Sequence, residues 1–578
     1  MSTARKISGP SGDRIAVVSE YRYKDTIKAI PGARWDPMKK AWILPYNTET
    51  WQALMFSVPG ISPDEAISNE LVPEPEDIHM EIPPHPPMPL KAGIRPYRHQ
   101  EAAYANALKV FEEGGTGYAY LMEMGTGKSL TAVATAGQLF LEGKVQRLLV
   151  VAPVAVVPVW PSEFGDFAGF PYHVETLEGD KKKRLKALQR LTDDKNEGLK
   201  VAVINYESSW RLKKELMDWW PDMVICDESQ RIKEPTSAQS KGLHEIGSKA
   251  NYRLILTGTP VTNSPLDFFS QYKFLNPRIF GESWYAFKAR YAVEGQGVNH
   301  TTGKTYNQVI GYRNLAELTE KAHAVAFRVT KKQALDLPEE VDQRLYCELE
   351  PEARKIYDQL KRDAIAELEG LPAVTASHII VRMLRLSQIC GGYVRTDIDG
   401  YEDDKNAGKL IKVSSAKQKL FQETLDEILE TPGKKVVVFA RFTAEVKEIC
   451  EHCRTKYGPE AYRLIDGSVP AAERGPAVED FQKDPAVRIF VAQIQTAGLG
   501  ITLTAADTAI YYSLDFSYAN YEQSRARIHR IGQRNNCLYI HLLVKDSVDE
   551  DVMAALAHKK NVSDLVVDNW RTLLKAEE

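Results

Sequence analysis

The sequence runs to 578 residues, enough for roughly three or four domains. With 43% hydrophobic and 26% charged residues it has the composition of a soluble globular protein. A formal net charge of -4 excludes a globally basic nucleic-acid binder, so any contact with nucleic acid has to come from a local groove.

Residues 1–60 read as a small α+β module. Within it, Arg34-Trp-Asp-Pro-Met-Lys-Lys-Ala-Trp-Ile-Leu-Pro45 has the pattern of a β-hairpin with an Asp-Pro turn. Residues 61–94 contain Val72-Pro-Glu-Pro-Glu-Asp77 and Ile82-Pro-Pro-His-Pro-Pro-Met-Pro89, which suit an extended linker that few contacts cross. From 95 to 276, strand-like runs at Gln146–Pro153, Lys200–Ile204, Met223–Cys226 and Arg253–Leu256 alternate with helical stretches. That alternation predicts a parallel sheet covered on both faces. Residues 277–414 read as helical insertions and an inter-lobe linker, with a helical pattern at Pro351–Leu368. A second alternating series fills 415–578, with strands at Lys435–Phe439, Tyr462–Ile465, Arg488–Val491, Ala509–Tyr512 and Cys537–Leu543, followed by C-terminal helices. Six scattered cysteines do not make a disulfide framework and point to a reducing compartment. Cys450-Glu-His-Cys453 lacks a second ligand pair and belongs to a helix after Phe442 rather than to a zinc site. No apolar run reaches membrane-spanning length and the N-terminus lacks a signal-peptide core, so an intracellular protein without membrane partners is expected.

Two stretches carry chemistry. Met122-Glu-Met-Gly-Thr-Gly-Lys-Ser129 precedes the Ala-rich helical pattern Leu130–Leu141, which Gly143 caps. Backbone N–H groups of a turn through Gly125, Thr126 and Gly127 can close around phosphates at the positive end of that helix. Lys128 then reaches the β/γ-phosphates, and the Ser129 hydroxyl can hold Mg²⁺. Met122 stands where a strict phosphate loop has its first Gly. The acidic pair Asp227 and Glu228 ends the apolar run Met223-Val-Ile-Cys226 and supplies one carboxylate for the metal and one to align water. The two together read as an NTP-hydrolysing motor core with ATP and Mg²⁺ as cofactors. Further on, Arg527 and Arg530 are three residues apart and would share one face of a helix. Guanidiniums so placed suit the charge that develops on a transferring γ-phosphoryl group.

These motifs carry a resemblance to Swi/Snf-type members of helicase superfamily two over nearly all of residues 95–550. It implies two RecA-like parallel-sheet lobes, with nucleotide between them and hydrolysis driving movement along DNA. By that resemblance Gln100 in Arg95-Pro-Tyr-Arg-His-Gln100 reads adenine, and the run Val151–Phe164 containing Trp160 touches the tracked strand. Asp227-Glu-Ser-Gln-Arg-Ile-Lys233 is similar to the family's DEAH-R-I-K, with Ser229 and Gln230 replacing Ala and His. Leu256-Thr-Gly-Thr-Pro260 resembles the coupling motif. Lys233 and Thr257 are thereby implied as DNA contacts, and Gly498 and Gln523, from Gln495–Leu503 and Gln523–Gln533, as nucleotide contacts. Where family members carry Trp-Asn-Pro, this chain has Asp515-Phe-Ser-Tyr-Ala519, whose Phe516 and Tyr518 would preserve aromatic surface.

Tyr23–Pro45 resembles the HARP module of annealing helicases. Trp35 and Trp42 interleave there with Arg34, Lys39 and Lys40, the makings of a base-stacking and phosphate-binding surface, although at least one tryptophan is expected in the module's own core. The leading expectation is an ATP-driven, monomeric translocase on duplex or branched DNA, of the annealing or fork-remodelling type. A strand-separating DNA or RNA helicase and a catalytically silent nucleic-acid-binding module are the alternatives. The expected location is the cytoplasm of a bacterial or viral system, or the nucleus in a eukaryote.

Overall fold

The computed structural model describes residues 2–9, 12–19, 21–28, 30–58, 61–71, 81–154, 156–258, 264–298, 305–369, 376–395, 410–495 and 501–557. The chain divides into two units, Met1–Asp336 and Leu337–Glu578.

The first unit opens with a five-stranded sheet of β1 (Thr3–Gly9), β2 (Gly12–Val18), β3 (Arg34–Asp36), β4 (Ala41–Pro45) and β5 (Ser62–Pro63), in the order β3-β4-β2-β1-β5. Alternate residues Ile15, Val17, Trp42 and Leu44 point to one face and bury against Trp51 and Leu54 of the helix Thr48–Ser57. The hairpin is where its pattern placed it. Trp35 pairs with Trp42, and Asp36 Oδ1 accepts from the backbone N–H groups of Met38 (2.9 Å) and Lys39 (3.1 Å) to close the turn. Trp42 is 7% exposed and belongs to the core, whereas Trp35 is 50% exposed beside the exposed Lys39 and Lys40.

Of residues 61–94, the described stretches 61–71 and 81–94 are packed, and Val72–Asp77 lies outside the described residues. Ile61, Ile67 and Leu71 complete the module's core, and Asp64 Oδ2 accepts from Lys6 N (2.7 Å). Beyond residue 80 the proline-rich run lies along the following lobe, with Lys91 N donating to Phe167 O (2.9 Å) and Ile82, Met88 and Leu90 packed on that lobe's core. The module is docked as well as tethered, because Leu315 inserts into its core and Tyr312 packs against it.

The lobe itself is a seven-stranded, all-parallel sheet. Its strands are β6 (Gly117–Met122), β7 (Arg147–Ala152), β8 (Tyr172–Thr176), β9 (Leu199–Asn205), β10 (Met223–Asp227), β11 (Tyr252–Leu256) and, after the hairpin β12 (Ala292–Val298) and β13 (Thr305–Tyr312), β14 (Ala326–Val329). The order is β14-β6-β11-β10-β7-β9-β8. Continuous apolar strands fit a sheet covered twice: Tyr118, Tyr120 and Met122 enter one core cluster, and Ala119 and Leu121 the other. β14 falls in the stretch read from sequence as insertion, but it completes this sheet by pairing with β6.

The second unit holds a six-stranded parallel sheet. After β15 (Glu340–Cys347) come the short hairpin β16 (Tyr393–Arg395) and β17 (Leu410–Lys412), then β18 (Val436–Ala440), β19 (Tyr462–Ile465), β20 (Ile489–Gln493), β21 (Thr508–Tyr511) and β22 (Cys537–Val544). The sheet order is β15-β22-β21-β18-β20-β19, so β15 also moves from the expected linker into a lobe. Cys450 and Cys453 are buried on the helix Thr443–Tyr457, and all six cysteines are free. A fully buried ion pair joins Lys417, on the helix Ala416–Glu430, to Asp549, at the start of the helix Val548–Ala557.

Candidate active site

The chemistry gathers at the C-terminal ends of β6, β11 and β10, which are neighbours in that order. The loop after β6 needs its glycines: Gly125 (φ +82°) and Gly127 (φ +91°) are left-handed, and a Cβ on Gly127 would lie 2.0 Å from Gln100 Nε2. From Gly127 the chain turns directly into the helix Lys128–Leu141, so the first-turn N–H groups point into the loop. Lys128 Nζ donates to the carbonyls of Met122 (2.8 Å) and Glu123 (3.2 Å), bracing the loop from within. Burial holds its pKa below the usual lysine value, opposed by the charges of Glu228 and Asp227. Gln100 Nε2 donates to Thr126 O (3.0 Å), while its Oε1 accepts from Tyr97 N (2.9 Å).

Asp227 ends β10 and is 8% exposed. Burial first, then the neighbouring Glu228, push its carboxyl well above the usual carboxylate range. The Trp160 indole N–H donates to its Oδ2 (3.2 Å), and the Tyr206 hydroxyl donates to its backbone carbonyl (2.7 Å). Glu228 takes the left-handed conformation (φ +53°), a strained setting for a residue with a side chain. Gln230 Nε2 donates to Glu228 Oε2 (2.8 Å), and Gln230 Oε1 in turn accepts from the Thr257 hydroxyl (2.9 Å). A three-member relay therefore runs from the end of β11 to the carboxylate beside Asp227. Two adjacent carboxylates, one driven up by burial and by its neighbour, form a donor set whose electrostatic deficit a divalent cation would relieve, and Ser129 follows Lys128, whose charge acts on both, in the first turn of its helix. The residues present thus fit Mg²⁺ held with a nucleotide phosphate.

Residues 112–392 match the SNF2-related domain, and 417–532 the helicase conserved C-terminal domain. The chain thus carries an SNF2-related domain followed by a helicase conserved C-terminal domain. An uncharacterized ATP-dependent helicase of Mycoplasma genitalium is 26% identical over 476 residues, which is 81% of this chain and 42% of that one. The DNA repair and recombination protein RAD54-like of Drosophila pseudoobscura pseudoobscura is 26% identical over 479 residues, covering 77% and 60%. The DNA annealing helicase and endonuclease ZRANB3 of Mus musculus is 27% identical over 466 residues, covering 79% and 40%. The chain spans about half the length of these relatives.

Several SNF2-type motif residues sit otherwise than the resemblance implied. Trp160 (1% exposed) and Thr257 (0%) are buried and hydrogen-bond Asp227 and Gln230. Lys233 is partly exposed, 3.8 Å from Asp267. Phe516 is buried, with the Arg441 guanidinium 3.9 Å from its ring centroid, and so adds no aromatic surface. Gln523 lies half-buried on the helix Tyr518–Arg525, and Gly498 is outside the described residues. That helix stops at Arg525, so Arg527 and Arg530 share no helical face. Leu503 N takes the Arg527 carbonyl (2.9 Å), Gln533 Nε2 takes those of Ala506 (2.8 Å) and Ile528 (3.3 Å), and Gly532 turns left-handed (φ +99°). Arg527 is buried and Arg530 partly exposed within this turn. Tyr206, His99 and Gln533 are the structural partners that motif reading passed over. Gln533 was visible as the end of a motif, but nothing in sequence marks Tyr206, which comes from the far end of β9.

Proposed function

We propose that the protein is a DNA-dependent ATPase that translocates on duplex DNA, with strand annealing or fork remodelling as its task. The observation that carries this is the meeting of Lys128 with Asp227 and Glu228 at one end of a single sheet, with Glu228 held by a relay from the coupling motif. In this reading the loop N–H groups and Lys128 bind the β- and γ-phosphates. Ser129 and Asp227 hold Mg²⁺, which when bound neutralises charge on the phosphate oxygens. Glu228 aligns the attacking water and accepts its proton, and Gln230 keeps that carboxylate in place. Arg527 and Arg530 are proposed to act on the charge of the transferring phosphoryl group. The SNF2-related and helicase C-terminal matches support ATP use. The names of the fly and mouse relatives, a DNA repair and recombination protein and a DNA annealing helicase, support DNA as the track. The exposed Trp35, Lys39 and Lys40 at the N-terminal hairpin are proposed as an additional contact with unpaired or branched DNA.

ATP hydrolysis measured with single-stranded, duplex and forked DNA tests the reading. Lys128→Ala should abolish turnover, and Glu228→Gln should bind ATP without hydrolysing it. Lys39→Ala combined with Lys40→Ala should lower fork preference and annealing while leaving ATPase activity on duplex DNA intact. Activity that ignores DNA, or full turnover in Glu228→Gln, would overturn it.

A further inference from the structure

In the second unit, two acidic side chains of the edge strand β15 hold the segment that carries Arg527 and Arg530. Glu340 and Asp342 are two residues apart on β15 and so project from one face of it. Both reach Arg525, the last residue of the helix Tyr518–Arg525. Arg525 Nη1 donates to Asp342 Oδ1 (2.6 Å), and its Nη2 and Nε donate to Glu340 Oε1 (3.3 and 3.4 Å). The guanidinium also lies 3.9 Å from the ring centroid of Tyr539 on β22 and donates to the Tyr521 hydroxyl (2.9 Å). The second oxygen of Glu340 faces His529. Its Nδ1 is 3.2 Å from Glu340 Oε2 without hydrogen-bond alignment, while Nε2 donates to the Pro338 carbonyl (2.8 Å).

Arg525 and His529 bracket Arg527, and Arg530 follows at once. The backbone between them is a tight turn hung on the Arg525 carbonyl. That oxygen accepts from Ile528 N (3.1 Å), His529 N (3.1 Å) and the Tyr539 hydroxyl (3.2 Å). A shift of Glu340 is therefore felt on both sides of Arg527. We propose that Glu340 and Asp342 are positioning residues for Arg527 and Arg530, fixing the turn in the setting from which these guanidiniums act on the transferring phosphoryl group. The side chains of Glu340 and Asp342 are 31% and 41% exposed, so their ion pairs add little to stability and replacing them opens no core. What they supply is the direction in which Arg525 and His529 are held. Pro338 and Glu340 are also among the first residues of this unit, so the same contacts tie the arginine segment to the place where the chain enters it.

This role rests on the reading that Arg527 and Arg530 act on the phosphoryl group, and the test separates the two. Hydrolysis of radiolabelled ATP at saturating duplex DNA is measured on the full chain, with KM for ATP and Tm for each variant. Glu340→Ala should lower kcat roughly tenfold, less than the roughly hundredfold that a misplacement of about 1 Å can bring. KM should stay within about twofold and Tm should barely move. Glu340→Gln keeps an acceptor for Arg525 and should recover most of the loss. Asp342→Ala leaves Arg525 its Glu340 and Tyr521 contacts and should lower kcat only about threefold. In a background of Arg527→Ala with Arg530→Ala, which should turn over slowly, Glu340→Ala should change kcat by less than about twofold, because the groups it positions are gone. Wild-type kcat in Glu340→Ala overturns the role. So does the same proportional loss in both backgrounds, or a fall of kcat that tracks Tm, since each marks a structural ion pair alone. Wild-type turnover in the double-arginine variant refutes the phosphoryl reading of the arginines and the role of Glu340 with it. Slow arginine variants beside an unaffected Glu340→Ala refute only the latter.

Discussion

Gln230 is the position where the relay can be cut with least damage to folding. Its amide accepts from the Thr257 hydroxyl and donates to Glu228, and Gln230→Leu removes both bonds in a side chain of similar volume. A hydrogen bond to a charged group contributes about 1.5–3 kcal/mol. If that energy holds Glu228 in its working position against the strain of a left-handed backbone, kcat should fall roughly 10- to 150-fold at 1.36 kcal/mol per decade. Thr257→Val cuts the far, neutral bond to Gln230, worth about 0.5–1.5 kcal/mol, and should lower kcat roughly 2- to 13-fold. Because the bonds are in series, the double variant should be no slower than Gln230→Leu alone. Gln230→His restores a donor next to Glu228 and should recover most of the loss. The assay is steady-state ATP hydrolysis at saturating duplex DNA, with KM for ATP determined for each variant. Additive losses in the double variant would refute the relay, and so would a raised KM at unchanged kcat.

Trp160→Phe keeps an aromatic side chain and loses the N–H donated to Asp227, a bond that favours the ionised carboxylate. The pKa of Asp227 should therefore rise further and the acid limb of the pH–rate profile move to higher pH; an unmoved limb counts against the contact. Lys417→Met leaves the Asp549 carboxylate buried without its cation and should cost about 3–5 kcal/mol in urea unfolding. Pairing it with Asp549→Leu should recover most of that, and a single variant as stable as wild type would show the pair to be dispensable. Arg530→Ala should lower kcat on the order of a hundredfold or more while equilibrium ATP binding changes little. Equal losses in binding and turnover would instead assign Arg530 to nucleotide anchoring.

How much of this was readable from sequence depended on how local each cause was. β7, β9, β10 and β11 showed themselves because strands buried on both faces must be continuously apolar. β15 reads Glu-Val-Asp-Gln-Arg-Leu-Tyr-Cys, and being an edge strand with mostly exposed side chains it carries no such signal. β14 has four residues, too few for any period to register. The phosphate loop was legible because its glycines, its lysine and the helix that follows are consecutive, so spacing alone fixes the geometry.

Trp160 and Thr257 lie in matching motifs, but a motif position does not say which way a side chain points. Both ends of the answer come from elsewhere in the chain: Asp227 is 67 residues from Trp160, and Gln230 is 27 from Thr257. The same limit explains the N-terminal module. A proline-rich stretch looks like a spacer when only its own residues are considered. What docks the module is Leu315, more than two hundred residues on, whose side chain sits in the module's core, while Ile82, Met88 and Leu90 pack on the lobe. Leu315 opens the helix Leu315–His323, which leads into β14, and β14 pairs with the strand that ends in the phosphate loop. The module that carries Trp35 and Lys39 is thus joined by packed elements to the strand that leads into the phosphate loop. Removing it would expose an apolar surface on the lobe, so point substitutions at the hairpin tip separate its DNA contacts from its structural role better than truncation does.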